Sequence, residues 1–112
     1  MSNKEFYDEN RVFFSGRLTQ DPILRYTKSK VPVLRFTLAV NYYIKENKET
    51  LFIPIVVTSD LALQLHSLLK KGSAVKVEGK LISRVIQISD QEEHKVFEVL
   101  ANKVEIFSKK EE

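Results

Sequence analysis

Along most of its length this chain alternates apolar and polar residues with a period of two, and it departs from that period once, between residues 59 and 72, where apolar residues recur at helical spacing. From Asn10 to Thr19, Val12, Phe14, Gly16 and Leu18 fall on one face, and Arg11, Phe13, Ser15 and Arg17 on the other. That is the pattern of a half-buried strand. Gly16 in mid-strand predicts a bend or bulge, and Asp21-Pro22 predicts a turn. A second strand follows from Val33 to Tyr43, with Leu34, Phe36, Leu38 and Val40 facing in and Arg35, Thr37 and Ala39 facing out. Lys45 to Glu49 reads as a charged hairpin loop. Leu51 to Thr58 is the third strand, alternating Ile53, Ile55 and Val57 against Phe52, Pro54 and Val56. It is apolar on both sides, and Pro54, with no amide to donate, belongs at an edge or bulge.

The helical segment opens with Ser59 or Asp60 as N-cap and carries Leu61, Ala62, Leu65, Leu68 and Leu69 as its apolar side. Lys70 and Lys71 occupy its last turn and Gly72 ends it, giving about three turns. A fourth strand, Ser73 to Ile86, puts Val75, Val77, Gly79 and Leu81 on one face. A polar loop, Ser89 to Lys95, leads to the fifth strand, Val96 to Phe107. Three strands, a helix and two strands within 112 residues leave room for one core. The fold class this predicts is all-β: a five-stranded Greek-key OB-fold barrel with one short α-helix between strands three and four, closed so that most strand edges are protected. SH3-like barrels are the competing architecture, though they usually lack a helix of this length there. Residues 1–9 read as a flexible N-terminal arm, 10–107 as the OB-fold domain and 108–112 as a short C-terminal tail.

Composition narrows the function classes. The chain has no cysteine, which excludes a disulfide framework, a thiolate metal site and a cysteine nucleophile. The first ten residues are polar, and no apolar run approaches the roughly 18 residues that cross a bilayer. The expectation is a soluble, cytoplasmic protein. Net charge is +3 and the pI about 9.1, with the N-terminal arm acidic and the folded body the basic part, compatible with a polyanionic partner. No nucleophile–base pair, carboxylate pair or phosphate-binding glycine loop is present. His66 sits among helix leucines and His94 in a glutamate-rich loop, without metal-ligand spacing. The chain therefore reads as a binding protein rather than an enzyme, with no cofactor and no metal.

Several blocks occur in a telling order: Asn10-Arg-Val-Phe-Phe-Ser-Gly-Arg-Leu-Thr19, Asp21-Pro22, Arg25-Tyr26-Thr27, Phe36-Thr-Leu-Ala-Val-Asn41, Phe52-Ile-Pro-Ile-Val-Val57, and Lys71-Gly72 leading to Val77-Glu-Gly-Lys-Leu81. Together they resemble the successive blocks of bacterial single-stranded DNA-binding proteins over roughly residues 10–107. The resemblance implies a homotetramer around which single-stranded DNA wraps, with roles in replication, recombination and repair. The mechanism follows from physics: Lys and Arg displace counterions from phosphates, and aromatic rings stack on any base for about 1–3 kcal/mol each.

The candidate contacts are these. Phe52 matches a stacking aromatic of the family, burial in a subunit contact being its competing role. Tyr42 and Tyr43 lie where the family places another, and at least one is expected to face DNA, against a cross-strand pair that shields the sheet. Arg35, by its outward face, and Arg84, by its match to a basic position, are assigned to phosphate or base stacking. Arg25 belongs to the matching Arg-Tyr-Thr block and has pairing with a nearby acid as its alternative. Lys45 and Lys80, with Lys48, Lys70 and Lys71, form a diffuse positive track that matters by its sum. Phe13, outward between arginines, suggests a subunit interface.

Thr58 and Ile86 stand where several relatives carry aromatic rings, so two stacking platforms are missing. Glu111 and Glu112 lack the apolar anchor of the acidic tail peptide that recruits partner proteins in that family. Two alternatives remain at this level: a primosomal-type replication accessory protein of the same fold, and an OB-fold protein-interaction module without DNA binding.

Overall fold

Residues 4–108 are described by a computed structural model. The strands are β1 (Val12–Leu18), β2 (Ile23–Tyr26), β3 (Pro32–Ile44), β4 (Asn47–Thr58), β5 (Ala74–Ser89) and β6 (Glu92–Ile106), with helix α1 (Ser59–His66) between β4 and β5. They pair into two antiparallel leaves. One is β2-β3-β4 and the other β1-β5-β6. Two narrow seams join the leaves: β4 and β6 run parallel through Ile55–Val99 and Val56–Leu100, and β1 meets β3 through Arg17–Ala39 and Leu18–Leu38. The sheet order β1-β5-β6-β4-β3-β2 thus closes on itself into the expected Greek-key OB barrel.

Inside the barrel lie Leu34, Leu38, Ile55, Val57, Val75, Val77 and Val99, all below 2% exposed. These are the inward positions of the alternating segments. Burying each such side chain is worth about 1.5–3 kcal/mol relative to exposure. Helix α1 stops one end of the barrel with Ala62 and Leu65.

The structure departs from the sequence reading in several places. The turn expected at Asp21-Pro22 leads into a sixth strand: Ile23–Tyr26 pairs with Pro32–Arg35 as an edge of the first leaf. Its four residues are too few to show alternation. Both charged loops contract to turns. β3 and β4 pair as far as Ile44–Asn47, leaving Lys45 (φ 57°) and Glu46 as the loop, and β5 and β6 pair as far as Ser89–Glu92. Backbone pairing carries both hairpins beyond the barrel, with Thr50 Oγ1 donating to Asn41 Oδ1 at 2.8 Å across the first.

The helix is shorter than its apolar spacing suggests. Thr58 is its N-cap, without a side-chain capping bond, and the helix ends at His66. The Leu65 carbonyl accepts from both Leu68 N–H and Leu69 N–H at 3.0 and 2.9 Å, so the chain tightens there. Leu69 stays in the core while Leu68 turns to solvent. Gly72, at φ 89°, instead forms the turn into β5 and donates its N–H to the Leu18 carbonyl at 2.9 Å. Gly16 produces no bulge in the β1–β5 register; it marks the close crossing of β1 over the Ala39 carbonyl, where the barrel closes.

Asn10 is a contributor that alternation did not reveal. Its side-chain amide donates to the Leu81 carbonyl at 2.7 Å and accepts from the Leu81 N–H at 2.9 Å. It thereby imitates one more residue of strand pairing beyond the end of β1. Replacing Asn10 by Ala is expected to lower unfolding free energy by about 1 kcal/mol, because the exposed Leu81 groups regain water as partners. Urea denaturation checks this, and an unchanged midpoint would deny the pairing any energetic role.

Candidate nucleic-acid interface

In antiparallel pairs, directly opposed residues share a face. On β3 and β4 the outward row is Arg35 opposite Val56, Thr37 opposite Pro54, Ala39 opposite Phe52, Asn41 opposite Thr50 and Tyr43 opposite Lys48. Phe52 therefore faces the smallest side chain of the row and remains 62% exposed, with Tyr43 at 67% further along the hairpin. Tyr42 takes the other face, opposite Glu49, with Val40 and Leu51. The two tyrosines are thus separated: Tyr43 shares the side of Phe52 and Arg35, and Tyr42 does not.

β2 adds Arg25, opposite Val33, and Ile23, opposite Arg35, to the same outward face. From the second leaf come Lys80 opposite Leu100, Ile82 opposite Glu98, Arg84 opposite Val96 and Ile86 opposite His94. Arg25 is exposed, and among the described residues it makes no ion pair. Lys45 lies at the tip of the β3–β4 hairpin. Lys80 lies toward β1 and lines a separate cleft with Asn10, Arg11 and Glu78.

The structure brings Arg35 and Arg84 together through a residue the sequence reading passed over. Arg35 Nη1 donates to Glu98 Oε2 at 2.7 Å, and Arg84 Nε donates to Glu98 Oε1 at 3.1 Å. Glu98 is 3% exposed and is the buried charged residue among those described. The two guanidinium-bearing side chains stay 42% and 45% exposed. They border an open cleft of about 320 Å³ whose lining includes Ile23, Thr37 and Pro54. Val56, opposite the inward Ile53, Ile55 and Val57 by alternation, lies on the outward face yet is 4% exposed; Arg35 is its partner on β3 and Leu100 its partner on β6. A signal for Glu98 exists in the sequence: it is the one acid within the apolar run Val96-Phe97-Glu98-Val99-Leu100-Ala101.

Elsewhere on the outward surface, Phe13 is half exposed, with the Arg11 guanidinium carbon 4.9 Å and Lys76 Nζ 5.6 Å from its ring centroid. Arg11 also pairs with Glu78 at 2.8 Å. Among the described residues no three His, Cys, Asp or Glu side chains gather as a metal site would require, and no helix is long and apolar enough to cross a membrane.

The outward face of the closed barrel thus carries the exposed rings of Phe52 and Tyr43 on the side of Arg35, Arg25 and Arg84. The chain is a member of the single-strand binding protein family, whose model matches residues 9–107. It is 44% identical over 104 residues to a single-stranded DNA-binding protein of Caldanaerobacter subterraneus, covering 90% of this chain and 69% of that protein. It is 40% identical to single-stranded DNA-binding protein 3 of Listeria innocua, covering 91% and 66%, and 42% identical to a single-stranded DNA-binding protein of Bacillus cereus, covering 86% and 58%. The chain therefore spans about three fifths to two thirds of the length of these relatives.

Proposed function

We propose that this chain binds single-stranded DNA without reading its sequence, holding bases on Phe52 and Tyr43 and phosphates on Arg35, Arg84 and Arg25. The observation that carries the reading is the shared outward face: two exposed rings on one hairpin lie on the same side of the sheet as three arginines from three strands. Rings accept any base because every base has a π-face, and guanidinium groups accept any phosphate. Lys80 and Lys45 flank this path at either end and add to the long-range attraction. Tyr42 serves the opposite side of the hairpin. Residues 10–107 act as the binding unit in the cytoplasm, protecting single strands during replication, recombination or repair. The chain works as a homo-oligomer, a tetramer in preference to a dimer. The half-exposed Phe13 and the β1 edge, paired from Val12 to Gly16 with β5 alone, support that assembly.

Fluorescence-anisotropy titration of labelled oligo-dT, mixed-sequence single strand and duplex of equal length, at low and moderate salt, tests the reading. Both single strands are expected to bind ahead of duplex and to weaken as salt rises. Phe52→Ala is expected to remove about 1–3 kcal/mol of binding free energy from either single strand. Equal affinity for duplex, or a Phe52→Ala variant that binds like the parent, would overturn it.

A further inference from the structure

We propose that Glu98 is a positioning residue of the DNA-binding face: its buried carboxylate holds the Arg35 and Arg84 guanidiniums side by side over one cleft, so that the pair meets the DNA backbone as a single phosphate-binding fork. The inference rests on the reading that these arginines contact phosphate.

Three observations lead to it. First, core physics does not call for an acid at this position. Glu98 lies in an apolar run beside the β4–β6 seam and is almost fully buried. Replacing a buried ion pair by well-packed apolar side chains is often neutral or stabilising. A function beyond packing accounts for the charge better than packing does.

Second, the carboxylate uses one oxygen for each arginine, Oε2 for Arg35 and Oε1 for Arg84. The arginines come from different leaves of the barrel, β3 and β5. Two guanidiniums drawn to one carboxylate would otherwise repel each other; the shared counter-charge lets both occupy the same cleft.

Third, neither arginine is used up. Arg35 contributes Nη1 and Arg84 contributes Nε to Glu98. A guanidinium has five N–H donors in a rigid fork. Two cations over one anion leave the group net positive, ordered and nearly half exposed to solvent. Holding a long side chain in place before binding removes the entropy loss that a free arginine suffers on contact.

The test exploits a difference of sign. Charge alone requires that removing a carboxylate from the face of a polyanion-binding protein tighten binding and steepen its salt dependence. Positioning requires the opposite. Oligo-dT titrations at several salt concentrations are run with the full chain, Glu98→Gln, Glu98→Asp and the double variant Arg35→Gln/Arg84→Gln. Far-UV circular dichroism and thermal melts keep the assay well below each unfolding midpoint.

Glu98→Asp preserves the charge but shortens the reach, so that one carboxylate no longer spans both arginines; binding is expected to weaken about fivefold or more. Glu98→Gln is expected to weaken binding although net charge rises. In the Arg35→Gln/Arg84→Gln background, Glu98→Asp is expected to change affinity by less than about twofold, which a general distortion of the barrel would not produce. An unchanged Glu98→Asp, or a tighter Glu98→Gln, overturns the positioning role and leaves single-strand binding standing. If the double-arginine variant binds like the parent, the arginines do not contact DNA and the proposal falls with that assignment. If neither Glu98 variant folds, Glu98 is a structural group and the proposal is again overturned.

Discussion

Gly79→Ala is expected to lower the unfolding free energy by about 3 kcal/mol or to prevent folding altogether, a larger effect than its single added methyl suggests. A Cβ at this position would press into the Leu100 carbonyl oxygen and lie 2.8 Å from the Ala101 Cα, both backbone atoms of β6. Backbone cannot rotate aside as a side chain can. Gly79 stands where the β5–β6 register shifts, with Glu78 opposite Lys103 and Gly79 opposite Ala101. Relief would require β5 and β6 to separate beside Val77 and Val99, two of the most deeply buried residues. Gly72→Ala supplies the contrast. Its Cβ would meet nothing within 4 Å, so the penalty there is the positive φ alone, about 1 kcal/mol. Urea denaturation of the two variants measures both numbers. A Gly79→Ala variant that loses no more than Gly72→Ala would mean that the two strands move apart freely.

Aromatic rings introduced at Thr58 and Ile86 are expected to tighten binding strongly. Thr58 ends β4 opposite Val33, on the face that also carries Arg25, and Ile86 lies on β5 on the face of Arg84. Both therefore look outward with Phe52. A base stacked on an aromatic ring is worth about 1–3 kcal/mol, so Thr58→Phe combined with Ile86→Trp adds about 2 kcal/mol or more and is expected to raise affinity for a long oligo-dT by about thirtyfold or more. The gain should vanish for oligomers too short to reach both leaves. Titration against a length series of oligo-dT reads both results. If the double variant binds long and short strands no better than the parent, the strand does not cross these positions and the path of DNA must be redrawn.

The legible part of the fold was the part governed by period. Leu34, Phe36, Leu38, Ile53, Ile55, Val57, Val75 and Val77 are buried where alternation placed them, because a closed sheet admits one choice of face for each strand. Features decided by individual hydrogen bonds rather than by period were not legible. The end of α1 depends on the Leu65 carbonyl, the extension of β1 on the Asn10 amide, and β2 on its pairing with Pro32–Arg35. Within the candidate site, strand parity placed Phe52 and Arg35 on the outward face, and the same parity, unbroken along β3 as far as Ile44, separates Tyr43 from Tyr42. Glu98 was missed because its significance lies in arginines 63 and 14 residues away.

The two narrow seams have a consequence for how the protein responds to its ligand. Each leaf is knitted internally by long antiparallel ladders, whereas the leaves are joined by two short stretches of pairing, the cross-leaf Arg35–Glu98 bond and the core they share. Parting the leaves would expose the core that Leu34, Leu38, Ile55 and Val57 share with Val75, Val77 and Val99, so the two halves separate only as the barrel as a whole unfolds, while local opening is confined to the hairpin ends. Phe52, Tyr43 and Arg35 belong to one half and Arg84 to the other. On the path proposed above a single strand crosses the joint, so binding is expected to raise the stability of the barrel.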